Sequence, residues 1–231
     1  MRPFSPSAAR SGVSRRSPPA ESPALGGEPK IWQAGGMPTL YLSTEPEADQ
    51  LLATDPLALL VGMLLDQQIP MERAFVAPFW LTQRLGTTRL DAAAIATHDP
   101  DALGQIFATP PALHRFPGSM AARTQQLCQK IAERYAGDAA AVWRDAGTGA
   151  ELVKRLGDLP GFGKQKALIF AALLAKQFGV RPPGWQEATG AYGEDGVHRS
   201  VADITDSASL SKVREYKQQM KAAAKAGKTK P

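Results

Sequence analysis

The chain has 231 residues, 43% of them hydrophobic and 21% charged, a composition that excludes the collagen-like and fully disordered classes and contains no apolar run of membrane-spanning length. Its net charge of +5 sits at the ends: residues 1–36 carry +3 and 211–231 carry +6, leaving −4 on the body. A generally basic body is thereby excluded as a nucleic-acid surface, and any such site must be a local patch assisted by the tail. Cys128 is the single cysteine, so an internal disulfide and a multi-cysteine metal or iron–sulfur site are excluded, and a buried, inert thiol is expected.

Residues 1–36 are rich in Ser, Pro, Gly and Arg without an apolar period, which predicts a disordered extension, with Met37 an alternative start. They lack the apolar stretch of a secretory signal, and a cytoplasmic location is expected. A helical domain is expected over 37–226. Asp55-Pro56 is a capping residue followed by proline at the first helical position, and Leu57, Leu59, Leu60, Met63 and Leu64 give that helix its buried face, ending near Gln67 or Gln68. A second helix passes through Ala74, Phe75, Phe79, Trp80 and Leu81 to the stop at Gly86, with Pro78 inside it. Asp99-Pro100 repeats the cap, and Pro110-Pro111 ends the helix that follows. A long amphipathic helix is predicted from about 119 to 135 with Leu127, Ile131 and Tyr135 on one side, then a short one over Glu151 to Leu156. After a break at 159–163 comes an apolar helix from Ala167 to Phe178, closed by Gly179. Residues 181–196 read as a Pro- and Gly-rich loop, and a last helix runs from about 209 to 226, docking Val213, Tyr216 and Met220, before a flexible basic tail at 227–231. Eight or nine short helices with short connections define an all-α fold.

The break itself, Leu159-Pro160-Gly161-Phe162-Gly163-Lys164, is the segment with chemical content. Its two glycines permit a tight turn whose N–H groups, with those of the following helix N-terminus, can receive a phosphate. Lys164 and Lys166 would add cationic contacts. A plain inter-helix turn is the alternative reading of the motif alone.

The full pattern, Leu-Pro-Gly-Phe-Gly followed by Ala167 and an apolar helix, resembles the hairpin of the helix-hairpin-helix base-excision DNA glycosylase superfamily, which includes endonuclease III and the 3-methyladenine glycosylases. Leu64-Leu65-Asp66-Gln67-Gln68-Ile69 is similar to that family's early glutamine-bearing segment, and Phe116-Pro117-Gly118 with Met120-Ala121-Ala122-Arg123 to its Gly-x-x-x-x-Lys-Ala element. These elements span about residues 50–180. The resemblance implies two helical lobes with double-stranded, damaged DNA held between them, a monomer that associates with the nucleoid when bound, and no cofactor or membrane partner. It further implies base eversion and hydrolysis of the N-glycosidic bond, supported by an aspartate. Gln67 and Gln68 would then fill the gap left by the everted base or hydrogen-bond the opposite strand, a plain surface role for paired glutamines at a helix end being the alternative reading.

Two departures from the family pattern matter. Where some members carry a Schiff-base lysine this chain has Gln165, so strand cleavage by that route is expected to be absent. Where relatives carry the aspartate, about twenty residues after the hairpin, the chain reads Arg181-Pro182-Pro183-Gly184-Trp185-Gln186-Glu187. Asp195 is the first candidate acid, Asp203 the second, Glu187 and Glu194 weaker ones, and loss of the acid, leaving a DNA-damage or DNA-structure binding module, stays open. A helical scaffold whose basic tail binds RNA or acidic proteins is a third reading. Trp185 and Tyr192 could stack on a base but need no ligand as loop anchors. His98, His114 and His198 lack metal-ligand spacing, and no metal is expected.

Overall fold

A computed structural model describes Pro38 to Gly227, together with Met1. The expected extension at 1–36 and all but the first residue of the tail lie outside those residues, apart from Met1. Among the described residues there are eleven α-helices, two 3-10 turns and no strand, so the fold is all-α. The helices are α1 (Pro46–Thr54), α2 (Pro56–Leu65), α3 (Met71–Leu85), α4 (Ala92–Ala96), α5 (Pro100–Ala108), α6 (Pro117–Tyr135), α7 (Ala141–Arg144), α8 (Gly149–Gly157), α9 (Lys164–Gln177), α10 (Trp185–Thr189) and α11 (Ser207–Gly227). The 3-10 turns span Gly190–Tyr192 and Val201–Asp203.

Helix α2 is the centre of the molecule. All ten of its residues are buried, as expected of a helix that is apolar all round and must be covered on every side. It packs with α1 and α3, while α4 and α5 lie on α6, and α8, α9 and α10 pack on one another. One continuous apolar core links these groups, with Phe75, Phe107, Trp143 and Phe170 fully buried within it. No single helix among the described residues is long and apolar enough to cross a membrane.

The aspartate-proline caps form as expected. Asp55 accepts hydrogen bonds from the Leu57 and Ala58 amides with one carboxylate oxygen and from the Leu90 amide at 2.8 Å with the other, so a local cap also ties down a distant segment. Asp99 caps α5 through the Ala102 amide. Cys128 is fully buried, and burial, with Asp55 and Asp91 adding, pushes its thiol up to about 12.

The segment expected to be loop at 181–196 instead contains α10 and a 3-10 turn. A Cβ on Gly149 would lie 2.4 Å from Trp185 Cα. The backbones of α8 and α10 therefore meet where only glycine fits, and tertiary packing rather than local pattern builds this helix. Helix α11 keeps Leu210 and Val213 buried, but Met220 is 53% exposed, against the expectation that it docks. From Gln218 to Ala223 every residue faces solvent, because the body ends before the helix does.

Candidate nucleic-acid interface at the hairpin

Between α8 and α9 the chain reverses in a tight turn, closed by a hydrogen bond from the Phe162 amide to the Leu159 carbonyl at 3.1 Å. Leu159 and Phe162 point into the core, Phe162 edge-on to Phe170, and anchor the turn from inside. Pro160 is half-buried between them, whereas Gly161, Gly163, Lys164 and Gln165 are exposed.

The two glycines do different work. Gly161 has φ +79, and a Cβ there would sit 2.2 Å from Leu64 Cδ1, so this glycine is required by the fold itself. Gly163 has φ −78 and nothing within 4 Å of a built Cβ. The neighbour that demands a glycine at 161 is therefore α2. Gly163 is also the N-cap of α9 and offers no side-chain cap, so the first-turn N–H groups of that helix have no capping side chain, with the partial positive charge of the helix end behind them.

Lys164 and Lys166 cannot share a face, since two residues on a helix are about 200° apart. Lys164 is exposed beside the open N-terminus. Lys166 turns inward: its Nζ donates to the Leu64 carbonyl at 2.9 Å and lies 5.9 Å from the Phe162 ring centroid. Burial lowers its pKa to about 8, with Arg123 pushing the same way and Asp66 opposing. Gln165 Nε2 donates to the Tyr192 hydroxyl at 2.9 Å, which stitches the 3-10 turn to the hairpin helix and gives Tyr192 an anchoring contact. Trp185 is half-buried, with the Arg181 guanidinium 5.9 Å from its ring centroid.

The segment linking α2 to α3 lies against this turn through Leu64. Gln67 directs its amide nitrogen to the Leu64 carbonyl at 2.8 Å and receives Arg123 at its amide oxygen at 3.2 Å. Gln67 is therefore engaged within the protein, while Gln68 is exposed and held at φ +57, a conformation that is costly for a residue with a Cβ. Buried His114 pins the same segment. Its Nδ1 accepts from the Phe116 amide at 3.1 Å, which leaves the proton on Nε2 to be donated to the Gln67 carbonyl at 2.9 Å. Burial lowers the His114 pKa, and Arg115, Lys166 and Arg123 add to that. The result is an exposed aromatic at the start of α6: Phe116 is 42% exposed, with the Arg115 guanidinium 4.7 Å from its ring centroid.

Asp66, between the end of α2 and the glutamines, carries a signal that sequence reasoning passed over. It is half-buried, and its carboxyl pKa is raised above the ordinary value by burial, with Lys217 and Lys166 opposing and Glu72 adding to the rise.

The two acids expected to be catalytic lie elsewhere. Asp195 is exposed and lines a small cavity of about 230 Å³ with Lys176, Gln177, His198 and Asp203. Lys176 lies near the C-terminal end of α9, about 18 Å along the axis from Lys164 at 1.5 Å per residue. Asp203 is fully occupied: Oδ1 binds Lys176 Nζ at 2.6 Å, and Oδ2 accepts from the Arg199 and Ser200 amides at 2.9 and 3.1 Å. With Ser200 it forms a capping box on the Val201–Asp203 turn. Neither acid is brought to the hairpin. Of the weaker candidates, Glu187 is exposed on α10 and Glu194 pairs with Arg199 at 3.0 Å. Among the described residues no group of three His, Cys, Asp or Glu is placed to hold a metal.

No known family model matches the chain, and no curated protein is detectably similar to it.

Proposed function

We propose that the protein binds duplex DNA through the hairpin face and removes a damaged base by hydrolysing its N-glycosidic bond, as a member of the helix-hairpin-helix glycosylase superfamily. The observation that carries this reading is the Gly163 end of α9: an uncapped helix N-terminus, open space where a Cβ would be, and exposed Lys164 alongside. A backbone phosphate meets donors there without needing sequence readout. Phe116 on the neighbouring segment supplies an apolar ring that can stack in a disrupted duplex.

A second reading, a binding module without chemistry, is favoured by the exposure of Asp195 and the full engagement of Asp203. Two measurements separate the readings. Salt titration of binding to undamaged, abasic and lesion-bearing duplexes tests the interface, and affinity unchanged in Gly163→Ala with Lys164→Gln would sink it. Base release from a panel containing uracil, alkylated purines and oxidised bases tests the chemistry, and no release from any of them leaves the binding module. Products should be intact abasic sites that break only with hot alkali, since Gln165 has no amine to attack the sugar. Borohydride should trap no adduct; one that formed would map to Lys166, the amine with its pKa lowered to about 8, and would replace hydrolysis by a lyase route.

A further inference from the structure

Of the described acidic residues that are not exposed, Asp66 alone has a carboxylate that makes neither a hydrogen bond nor an ion pair. Asp49 accepts from the Leu42 and Ser43 amides, Asp55 from three amides, and Asp203 from two amides and a lysine. Glu72, Asp138 and Glu151 each hold an arginine. A half-buried carboxylate whose oxygens reach solvent and that makes no hydrogen bond or ion pair within the protein serves no evident purpose in the scaffold and is open to a ligand. Its position agrees. Asp66 follows Leu64 by two residues; the Leu64 side chain packs under Gly161, and the Leu64 carbonyl receives Lys166. Asp66 therefore lies at the hairpin end of α9, within electrostatic reach of Lys166, whereas Asp195 and Asp203 lie at the other end.

We propose that Asp66 is the catalytic carboxylate of the base-excision site, an inference that rests on the function proposed above. The hairpin holds the backbone while Asp66 faces the deoxyribose of the everted nucleotide. The C1′–N bond breaks with its electron pair passing to the base, which takes up a proton from solvent. Water adds its oxygen to C1′ and gives a proton to Asp66, which returns it to solvent. During bond cleavage the negative carboxylate stabilises the positive sugar. Lys166 on α9, Lys217 on α11 and Glu72 on α3 are the charged groups around it, and the two lysines oppose the rise in its pKa that burial causes.

The test is single-turnover base release from a duplex carrying one lesion that the wild-type protein excises, with duplex affinity and thermal unfolding measured on the same preparations. Asp66→Asn should lower the rate by roughly 10²-fold or more, leave affinity within about threefold, and leave the melting point equal or higher. A merely structural acid would lower the melting point instead. Asp66→Glu should keep part of the rate, Asp195→Asn all of it. The wild-type rate should fall on acidification with a midpoint above the ordinary carboxylate range, a readout that needs no variant. Full activity in Asp66→Asn, or a wild-type rate that ignores acidification, overturns the assignment and leaves base excision standing. Absence of release by the wild-type protein from every lesion in the panel overturns both.

Discussion

At its C-terminal end α9 is tied into the body by groups with no capacity to spare. Lys176 pairs with Asp203 at side-chain exposures of 13% and 3%. Gln177 Nε2 lies within 3.2 Å of the carbonyls of Val201, Ala202 and Ile204. At its N-terminal end the same helix is uncapped, Gly163 faces open space, Lys164 is exposed and Asp66 has no partner. The chemistry at the two ends is similar, an acid and a lysine at each, and what differs is whether their valences are used inside the chain. A satisfied cluster holds a fold together, and an unsatisfied one is available to a ligand. Asp203, at the saturated end, resembles a catalytic candidate in sequence, but its surroundings are those of a joint, and Asp195 beside it is exposed.

The sharpest way to break this contrast is to cut the joint. Asp203→Ala leaves Lys176 buried without its carboxylate and opens the Ser200 capping box, and should lower the unfolding free energy by about 3–5 kcal/mol. Asp195→Ala, at an exposed position, should change it by less than about 0.5 kcal/mol. Urea unfolding of the two variants decides. Equal effects would show that the cavity end of α9 is not the rigid one.

The glycines sharpen the comparison at smaller scale. Gly161→Ala forces a left-handed conformation on a residue with a Cβ and moves Leu64, costing roughly 1–2 kcal/mol of stability. Gly163→Ala meets nothing within the protein and should be nearly neutral for stability while weakening duplex binding about tenfold or more, because the added methyl stands where a phosphate would come. A Gly163→Ala variant that unfolds more easily but binds as before would reverse the division.

What was legible in the sequence was local. The Asp55-Pro56 and Asp99-Pro100 caps and the stop at Gly86 act within a few residues, and each appears at its place. The short helices α4, α7 and α10 were not foreseen, because segments of four or five residues carry too little period to read, and α1 was missed as well. Helix α10 further depends on Gly149, far away in the chain. Within the site, the hairpin was legible as a motif, and helical geometry alone separates Lys164 from Lys166, but that Lys166 is the one turned inward is seen only in its contact with Leu64. Asp66 was not legible as an acid of interest, since the charges around it, Lys166 and Lys217, come from helices distant in the chain.

His114 gives a pH handle on the uncommitted end. Its pKa is lowered below 6.5 by burial, and protonation would remove the Nδ1 acceptor used by Phe116. The unfolded chain takes up this proton as pH falls through about 6.5 and the folded protein does not, so the stabilising contribution is complete above that pH and is lost below it. The slope is bounded by one proton, about 1.4 kcal/mol per pH unit. Asp49, Asp55 and Asp66 have raised pKa values and act in the opposite sense closer to the acid range. Stability should therefore fall between pH 7 and 5.5, and His114→Gln should flatten that fall while lowering stability throughout.

The smallest effect on stability is expected where α11 leaves the body. Leu210 and Val213 are buried and Arg214 pairs with Glu72, so the helix is docked through its first turns. Met220 is exposed, and so is every residue from Gln218 to Ala223, leaving that stretch without a folding role. Removing residues 218–231 deletes Lys221, Lys225, Lys228 and Lys230 and should leave the melting point unchanged. Each of these lysines that reaches a phosphate contributes about 0.9 to the slope of log affinity against log salt. The truncated protein should show a shallower slope by between one and four such contributions, with any preference for a damaged site preserved, because contacts to the phosphate backbone carry no sequence information. Truncation at 207 is the contrasting case: it uncovers the apolar surface under Leu210 and Val213 and should lower the melting point as well. An unchanged salt slope after removal of 218–231 would confine DNA binding to the hairpin face, and a lost damage preference would place the tail in the recognition site.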